Sequence, residues 1–222
     1  MALVDELITK GVLKSKRLIE AFYAVDRKNF LPENLKESAY LDEPLPIGEG
    51  QTISQPWTVA FMLELLSPEP GENIMEIGYG SGWQTALLAA TGANVYAIEL
   101  VPELCKFGKE NFKKFGRGKV RFYCQDGTLG LPEIAERIGG FDKIIVAAAL
   151  GAAKIPTHVG TADLLPPAWK DQLKAGGRIV TPIGHSIFEF IKKPASPSQG
   201  GPDEAFEEIE HPGFAFVPLV SK

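Results

Sequence analysis

The feature that most constrains this chain is a strand–turn–helix–strand pattern over residues 74–99. It opens with a short apolar run at residues 74–77, which is typical of a buried strand. Three glycines, at positions 78, 80 and 82, then turn the chain, and apolar residues at helical spacing follow. A second apolar run, at residues 95–98, ends on Glu99. The pattern predicts a β–α–β unit whose two strands lie parallel in one sheet.

The glycine turn and the terminal acid are typical of sites for nucleotide-like cofactors. Glycines let a ligand approach the backbone, and an acid at the tip of the second strand accepts hydrogen bonds from ribose hydroxyls. The dinucleotide fingerprint G-x-G-x-x-G is absent, because its third glycine would stand where this chain has Trp83. The pattern is E-x-G-x-G-x-G from Glu76, and a carboxylate there suits a cationic ligand better than a pyrophosphate.

We therefore predict S-adenosyl-L-methionine as the cofactor, because it carries an ammonium and a sulfonium. Its ribose would suit Glu99. The alternative is a purely structural turn in an α/β fold.

Strands and helices alternate through the middle of the chain. The predicted strands lie at residues 74–77, 95–98, 120–124, 141–146 and 178–183. This alternation predicts an α/β fold, a doubly wound, Rossmann-like domain with helices on both faces of the sheet. Residues 186–192 and 214–220 are expected to pair antiparallel at one edge, which makes a mostly parallel seven-stranded sheet.

The flanking segments complete the predicted organisation. Residues 3–13 and a second helix after Ser15 predict an N-terminal helical extension. Residues 40–56 are dense in Pro, Gly and polar residues, which predicts a loop rather than a strand, either a linker or a functional segment. The polar, acidic residues 194–212 predict an exposed and mobile loop. We expect a single domain over 1–222, with an extension and substrate-side loop (1–70), a cofactor-binding core (71–185) and C-terminal edge strands (186–222).

Composition limits the class of protein. The chain has 222 residues, a net charge of −5 and a pI near 5.4, which argue against broad binding to nucleic acid or anionic membranes. Cys105 and Cys124 fit a reduced interior without a disulfide framework, and neither joins a Cys/His cluster that would bind a metal. The N-terminus is unlike a signal peptide, and no apolar run reaches transmembrane length. We expect a soluble, cytoplasmic protein.

Four predicted strand tips define one site, because such sheets bind ligands at the carboxyl ends of their strands. The tips carry residues 78–82, Glu99, the pair Asp126 and Gly127, and residues 147–150. Asp126 is predicted to place a carboxylate near an adenine amino group; the alternative is an Asx turn leaving the strand.

Taken together, these segments resemble the protein-L-isoaspartate O-methyltransferase family, over most of the chain. The glycine loop is common to many methyltransferases, whereas the loop before it is specific. The matching stretches are Val25, Arg27 and Phe30; Ala39-Tyr40; 44–48; 50–54; Pro56; Val59-Ala60; 76–78 and 80–82; 84–86; Asp126-Gly127; 141–142 and 144–146; 172–174 and 176–178; and 216–219.

The resemblance implies methyl transfer from S-adenosyl-L-methionine to the free α-carboxylate of L-isoaspartyl residues, leaving S-adenosyl-L-homocysteine. Such residues are damage products in proteins and peptides, and their methylation starts repair. The acceptor carboxylate is already ionised near pH 7, so positioning matters more than a strong base. We expect a monomer without a nucleic-acid or membrane partner. Two alternatives stay open: another carboxylate or a small molecule as acceptor, and a recognition module that binds cofactor without turnover.

The resemblance also implies the site residues. Ser54 is the predicted catalytic residue, since its hydroxyl can donate to the acceptor carboxylate or line the transfer pocket; the alternative is an N-cap of the following helix. The predicted cofactor-binding residues are Thr52, Ile53, Glu76, Gly78, Gly80, Ser81, Gly82, Gln84, Thr85, Glu99, Leu100, Asp126, Gly127 and Ala147.

The chain departs from the family's usual pattern in several places, which bear mainly on the methyl acceptor. Trp57 ends a motif that usually reads Ser-Ala-Pro-His and here reads Ser-Gln-Pro-Trp; it either packs the following helix or reshapes the substrate pocket. The other departures are Leu150 in place of a proline, a longer segment at 154–167, and the bulky Tyr79 and Trp83 in the cofactor loop.

Overall fold

The structure is a computed structural model that describes residues 2–150, 161–194, 206–216 and 218–219, and it is built around one large sheet. The strands in chain order are β1 (Leu45–Gly48), β2 (Gln51–Ile53), β3 (Asn73–Ile77), β4 (Asn94–Glu99), β5 (Lys119–Cys124), β6 (Phe141–Val146), β7 (Leu173–Ile183), β8 (Ser186–Lys192) and β9 (Phe206–Pro212). The α-helices are α1 (Ala2–Thr9), α2 (Lys16–Ala24), α3 (Pro56–Leu66), α4 (Trp83–Ala90), α5 (Pro102–Phe115), α6 (Pro132–Ile138) and α7 (Pro167–Gln172). Within the described residues no helix has the length and apolar character to cross a membrane.

The large sheet has seven strands in the order β5-β4-β3-β6-β7-β8-β9. The first five are parallel, whereas β8 runs antiparallel to β7 and β9 antiparallel to β8. This confirms the predicted mostly parallel sheet with an antiparallel edge. The chain order reverses on either side of β3, and such a switch point opens a crevice at the carboxyl ends of the strands.

Helices cover both faces of the sheet. Neighbouring side chains of a strand point to opposite faces, and Ile74 and Met75 of β3 accordingly belong to two different apolar clusters. The cluster around Ile74 is closed by α1 to α5, and the cluster around Met75 by α6 and α7. Both residues are fully buried, as expected for the central strand of a doubly wound sheet.

The prediction of a loop at 40–56 is wrong in part, because β1 and β2 form an antiparallel hairpin there. Gly48 and Gly50 have φ of 95° and 68°, and Glu49 between them has φ 54°, so the chain reverses through the left-handed region. Leu45 pairs with Ile53, and both are buried. Prolines and glycines concealed this short alternation of buried and exposed residues.

The predicted pairing at the antiparallel edge is also wrong in its partner. Strand β8 pairs with β9, not with residues 214–220, so the predicted loop at 194–212 contains a strand at its end. The acidic residues of β9 are exposed on an edge strand, where charge is tolerated and limits unwanted pairing. High acidity was therefore no sign of a loop here. The rest of the segment, 195–205, lies outside the described residues, as do residues 151–160 of the lengthened 154–167 segment.

The two cysteines form a disulfide, which corrects the expectation of a reduced interior. Cys105 lies in α5 and Cys124 ends β5, and their Cα atoms are 5.8 Å apart. The β4–α5–β5 crossover places the start of the helix beside the end of the strand. A separation of 19 residues in the sequence does not reveal that proximity.

Candidate active site

A cleft opens at the carboxyl ends of β3, β4 and β6, where the strand order reverses. It contains about 830 Å³ of empty space, a volume that includes open solvent. Eleven predicted site residues line it: Thr52, Ile53, Ser54, Gly78, Gly80, Ser81, Gln84, Glu99, Leu100, Gly127 and Ala147. The other four, Glu76, Gly82, Thr85 and Asp126, lie outside its lining.

The glycine turn serves both the cleft and the packing of the core. Gly80 has φ 47° and Gly82 has φ 83°, backbone conformations that residues with a side chain rarely adopt. A Cβ on Gly82 would lie 2.8 Å from the carbonyl oxygen of Gly108 in α5. Gly82 therefore allows α5 to pack against the turn, whereas Gly80 lies on the cleft side.

Glu99 is held in place before any ligand arrives. Its Oε1 accepts from the backbone N–H of Leu100 at 2.8 Å and of Val101 at 3.0 Å, and its Oε2 accepts from Gly80 N–H at 2.9 Å. An ionised carboxylate offers about four acceptor sites, so Oε2 retains one for a ligand hydroxyl. This geometry fits the predicted contact with a ribose.

Glu76 lies behind the glycine turn rather than in the cleft. Its side chain is fully buried, and Oε1 accepts from Gln84 Nε2 at 3.1 Å. Burial raises the pKa of Glu76 to about 7, which outweighs the opposite influence of Thr85 and Gln84. Oε2 of Glu76 and Oγ1 of Thr85 make no hydrogen bond of normal geometry to the described residues. Glu76 orients Gln84, which does line the cleft, and its own contact with cofactor stays a prediction.

Asp126 forms the Asx turn that was the alternative interpretation. Its Oδ1 accepts from the Thr128 N–H at 2.9 Å and from the Thr128 hydroxyl at 2.7 Å. Gly127 lies at the cleft, and a Cβ there would come within 2.5 Å of Ile77 Cγ2. Its glycine identity is therefore explained by packing against β3.

The bulky residues of the cofactor loop direct their rings into the core. Tyr79 donates its hydroxyl to the Cys105 carbonyl at 2.9 Å and packs edge-on against Phe122. Trp83 packs edge-on against Phe22 of α2, with ring centroids 5.8 Å apart. Both residues line the cleft, but their rings are packed against core residues.

Ser54 is not the N-cap of the following helix, so that alternative is wrong. Helix α3 begins at Pro56 with Gln55 at the N-cap position, and the Trp57 N–H donates to Asp42 Oδ1 at 2.9 Å. Ser54 lines both the cleft and an adjoining recess, which also share Thr52 and Ala147. The Ser54 hydroxyl has no hydrogen-bond partner among the described residues. Ser54 therefore lies between the cleft and the recess.

Arg27 lines neither the cleft nor the recess, but it contacts the Ser54 loop in a way that sequence reasoning missed. Its guanidinium is almost fully buried, and its carbon lies 5.3 Å from the centre of the Trp83 ring. Burial lowers the pKa of Arg27 to about 10, so it stays charged at neutral pH. Four carbonyls accept from it: Ala39 at 2.8 Å, Leu41 at 3.2 Å, Glu43 at 2.9 Å and Ser54 at 3.1 Å. The sequence signal was the match of Arg27, with Val25 and Phe30, to the family pattern, but the four acceptors of Arg27 could not be read from the sequence.

Two of the departures from the family pattern have structural roles. Trp57 stacks on Phe61 of the same helix, with centroids 5.3 Å apart and planes 8° apart, and also contacts Phe214. It lines neither the cleft nor the recess, which supports the packing interpretation. Leu150 is buried, and its N–H donates to the Pro182 carbonyl. In the described part of the chain no group of three or more His, Cys, Asp or Glu side chains is placed to hold a metal ion.

Comparison with known proteins places this arrangement in context. A family model described as "Protein-L-isoaspartate(D-aspartate) O-methyltransferase (PCMT)" matches residues 1–222. A protein-L-isoaspartate O-methyltransferase of Aeropyrum pernix is 39% identical, over 100% of this chain and 79% of that protein. One of Pyrococcus horikoshii is 37% identical, over 99% of this chain and 91% of that protein.

Solved structures agree with the fold. One named protein-L-isoaspartate O-methyltransferase superposes with a TM-score of 0.80 at 26% identity, covering 99% of this chain and 65% of that one. A Plasmodium falciparum structure, described as a candidate enzyme of the same name in complex with S-adenosyl-L-homocysteine, has a TM-score of 0.78 at 23% identity. It covers 100% of this chain and 98% of that one.

Proposed function

The chain belongs to the protein-L-isoaspartate(D-aspartate) O-methyltransferase family, and we propose that its cleft and recess carry out that family's reaction. The enzyme methylates the free carboxylate of L-isoaspartyl residues in damaged proteins, using S-adenosyl-L-methionine, as a step in repair. The observation that carries the proposal is the position of Ser54, between the cleft that suits the cofactor and the recess beside it.

The residues of the cleft fit the cofactor. Oε2 of Glu99 has an acceptor site left for a ribose hydroxyl, and Gly80, whose N–H donates to that carboxylate, lines the cleft without a side chain. Gln84, whose amide nitrogen donates to Glu76, lines the same space. When bound, S-adenosyl-L-methionine supplies a sulfonium methyl group that an ionised carboxylate can accept without proton transfer.

Ser54 orients the acceptor. Its hydroxyl donates a hydrogen bond to the isoaspartyl carboxylate, which is ionised near pH 7 and needs no general base. Arg27 acts one step away, because its bond to the Ser54 carbonyl fixes the loop that carries the hydroxyl. Catalysis of this kind depends on holding two reactants in line rather than on a shifted pKa.

We also propose the finer points of organisation. The chain acts as one domain, with residues 1–70 on the acceptor side, 71–185 holding the cofactor and 186–222 closing the sheet edge. It acts as a cytoplasmic monomer without a nucleic-acid or membrane partner. The net charge of −5 supports the exclusion of broad phosphate binding.

The direct test is transfer of labelled methyl from S-adenosyl-L-methionine to an isoaspartyl peptide beside its aspartyl twin. We expect base-labile label in the isoaspartyl peptide alone. Equal labelling of both peptides would contradict the proposed acceptor. Cofactor binding without any transfer would instead favour a recognition module.

A further inference from the structure

Charge is unevenly distributed over this acidic protein. Residues 102–121, which span α5 and the first part of β5, hold seven Lys and Arg residues against two Glu. That stretch has a net charge of +5, so the rest of the chain has −10. The seven cations, all exposed, are called the cationic face here: Lys106, Lys109, Lys113, Lys114, Arg117, Lys119 and Arg121.

None of the seven takes part in an ion pair within the described residues, although nine ion pairs form elsewhere in them. The opposite side of α5 is buried through residues such as Leu104 and Gly108, so the cations point outward. Lys106, Lys109 and Lys113 are three and four residues apart and form one stripe about 10 Å long.

Structural roles account for only part of this face. Lys113 and Lys114 lie in the last turn of α5, where cations interact favourably with the helix dipole. Lys119 and Arg121 lie on β5, an edge strand, where charge limits aggregation. Arg121 also donates to the Tyr96 hydroxyl at 3.0 Å and lies over the Tyr96 ring. Lys106 and Lys109 have neither role. Lys106 has Glu103 and Glu110 at helical spacing, whereas Lys109 has only the like charges of Lys106 and Lys113 there, which destabilise a helix. A binding role explains all seven together.

The face begins beside the candidate active site. Helix α5 starts directly after Val101, and both Val101 and Leu104 line the cleft. The cations then follow the helix down the flank of the molecule to β5 at the sheet edge. A polypeptide with one residue in the recess could therefore lay a neighbouring segment along this flank.

We infer that the cationic face is a docking surface for acidic segments of the protein substrate, outside the residue that is methylated. This inference rests on the proposed function. Conversion of an Asn to isoaspartate replaces a neutral amide with a carboxylate, so deamidated chains gain negative charge. The rest of the enzyme, at −10, repels such chains, and the cationic face attracts them. Five of the seven cations are lysines, point charges on flexible stems, which suit carboxylates spread along a flexible chain.

The test compares two isoaspartyl peptides with the same core, joined by a Gly-Ser linker to either four Glu or four Gln residues. At about 0.01 M ionic strength we expect kcat/KM to be about tenfold higher for the Glu-tailed peptide. The gain should vanish near 1 M, where the Debye length falls to about 3 Å. Methylation of the Gln-tailed peptide tests the proposed function by itself. Loss of that methylation would contradict the proposed function, whereas equal methylation of both peptides would contradict only the docking surface.

Two matched variants locate the effect. Lys106→Gln/Lys109→Gln/Lys113→Gln should abolish the gain and leave turnover of the Gln-tailed peptide unchanged. Lys14→Gln/Lys16→Gln/Lys193→Gln removes three exposed lysines elsewhere, with the same change in net charge, and should keep the gain. Equal kcat/KM for both peptides at low salt would overturn the inference, as would equal loss in both variants. Tighter binding of a labelled oligothymidylate than of the labelled Glu-tailed peptide would make the face a nucleic-acid site and overturn it as well.

Discussion

The cofactor side and the acceptor side of the site are held by different kinds of interaction. On the cofactor side, the turn between β3 and α4 is fixed by parallel strands and by three backbone N–H groups on Glu99. On the proposed acceptor side, the hairpin is held by its own pairing, and the guanidinium of Arg27, 27 residues away in the chain from Ser54, ties the Ser54 loop to residues 39–43. The cofactor side therefore rests mainly on backbone interactions, whereas the position of the Ser54 loop depends on one distant side chain.

Replacing Arg27 should have the largest effect of any single change, and it should act on the acceptor side. Arg27→Met leaves four carbonyls without their donor, and we expect a loss of about 4 kcal/mol or more in the free energy of unfolding. Arg27→Lys keeps the positive charge but cannot donate to all four carbonyls in the same geometry. We expect it to fold, to bind S-adenosyl-L-homocysteine within about twofold of wild type, and to lose about 100-fold in kcat. Calorimetric titration measures the affinity for S-adenosyl-L-homocysteine, and steady-state kinetics measure kcat. If affinity and kcat fall equally, Arg27 acts instead through its contact with Trp83, which lines the cleft.

The buried acid on the cofactor side should make stability depend on pH. The pKa of Glu76 is about 7 in the folded protein and about 4.5 when unfolded, so its contribution is complete below 4.5 and is lost as pH rises through 7. The expected loss in the free energy of unfolding is about 3 kcal/mol. Glu76→Gln keeps the acceptor for Gln84 and should remove this dependence.

Urea unfolding of both proteins at several pH values between 4 and 8 measures the difference in stability. Parallel curves for wild type and Glu76→Gln would show that Glu76 ionises normally in the folded state.

Glu99→Ala should weaken S-adenosyl-L-methionine binding by roughly 1.5–3 kcal/mol, the scale of a hydrogen bond to a charged group. Turnover at saturating cofactor should change far less, because the acceptor side is untouched. Glu99→Gln serves as the control that keeps the side-chain volume. Unchanged affinity in Glu99→Ala would remove the ribose assignment.

Ser54→Ala should have the smallest and most selective effect. We expect about a tenfold loss of kcat, with cofactor affinity and thermal stability unchanged, because Ser54 caps no helix in the structure. A thermal scan beside the kinetics separates the two roles. Lower stability with normal turnover would restore the capping interpretation.

Much of the cofactor side could be predicted because its signals are local. The apolar runs, the glycine turn and Glu99 all lie within 26 residues, and strand and helix periodicities need no distant partner. The acceptor side stays a prediction from resemblance, and its local structure was not foreseen. The hairpin of β1 and β2 was expected to be a loop, since its prolines and glycines conceal the alternation of Leu45 and Ile53.

By itself, the sequence determined the parallel α/β core, the family and the residues at the strand tips. Only the tertiary structure decided that Cys105 meets Cys124, that β9 completes the sheet and that Arg27 holds the Ser54 loop. The physical reason is the same in each case. Periodicity reports how one segment prefers to bury its own side chains, whereas a disulfide, an edge pairing or a buried guanidinium depends on which distant segment the fold brings within a few ångströms.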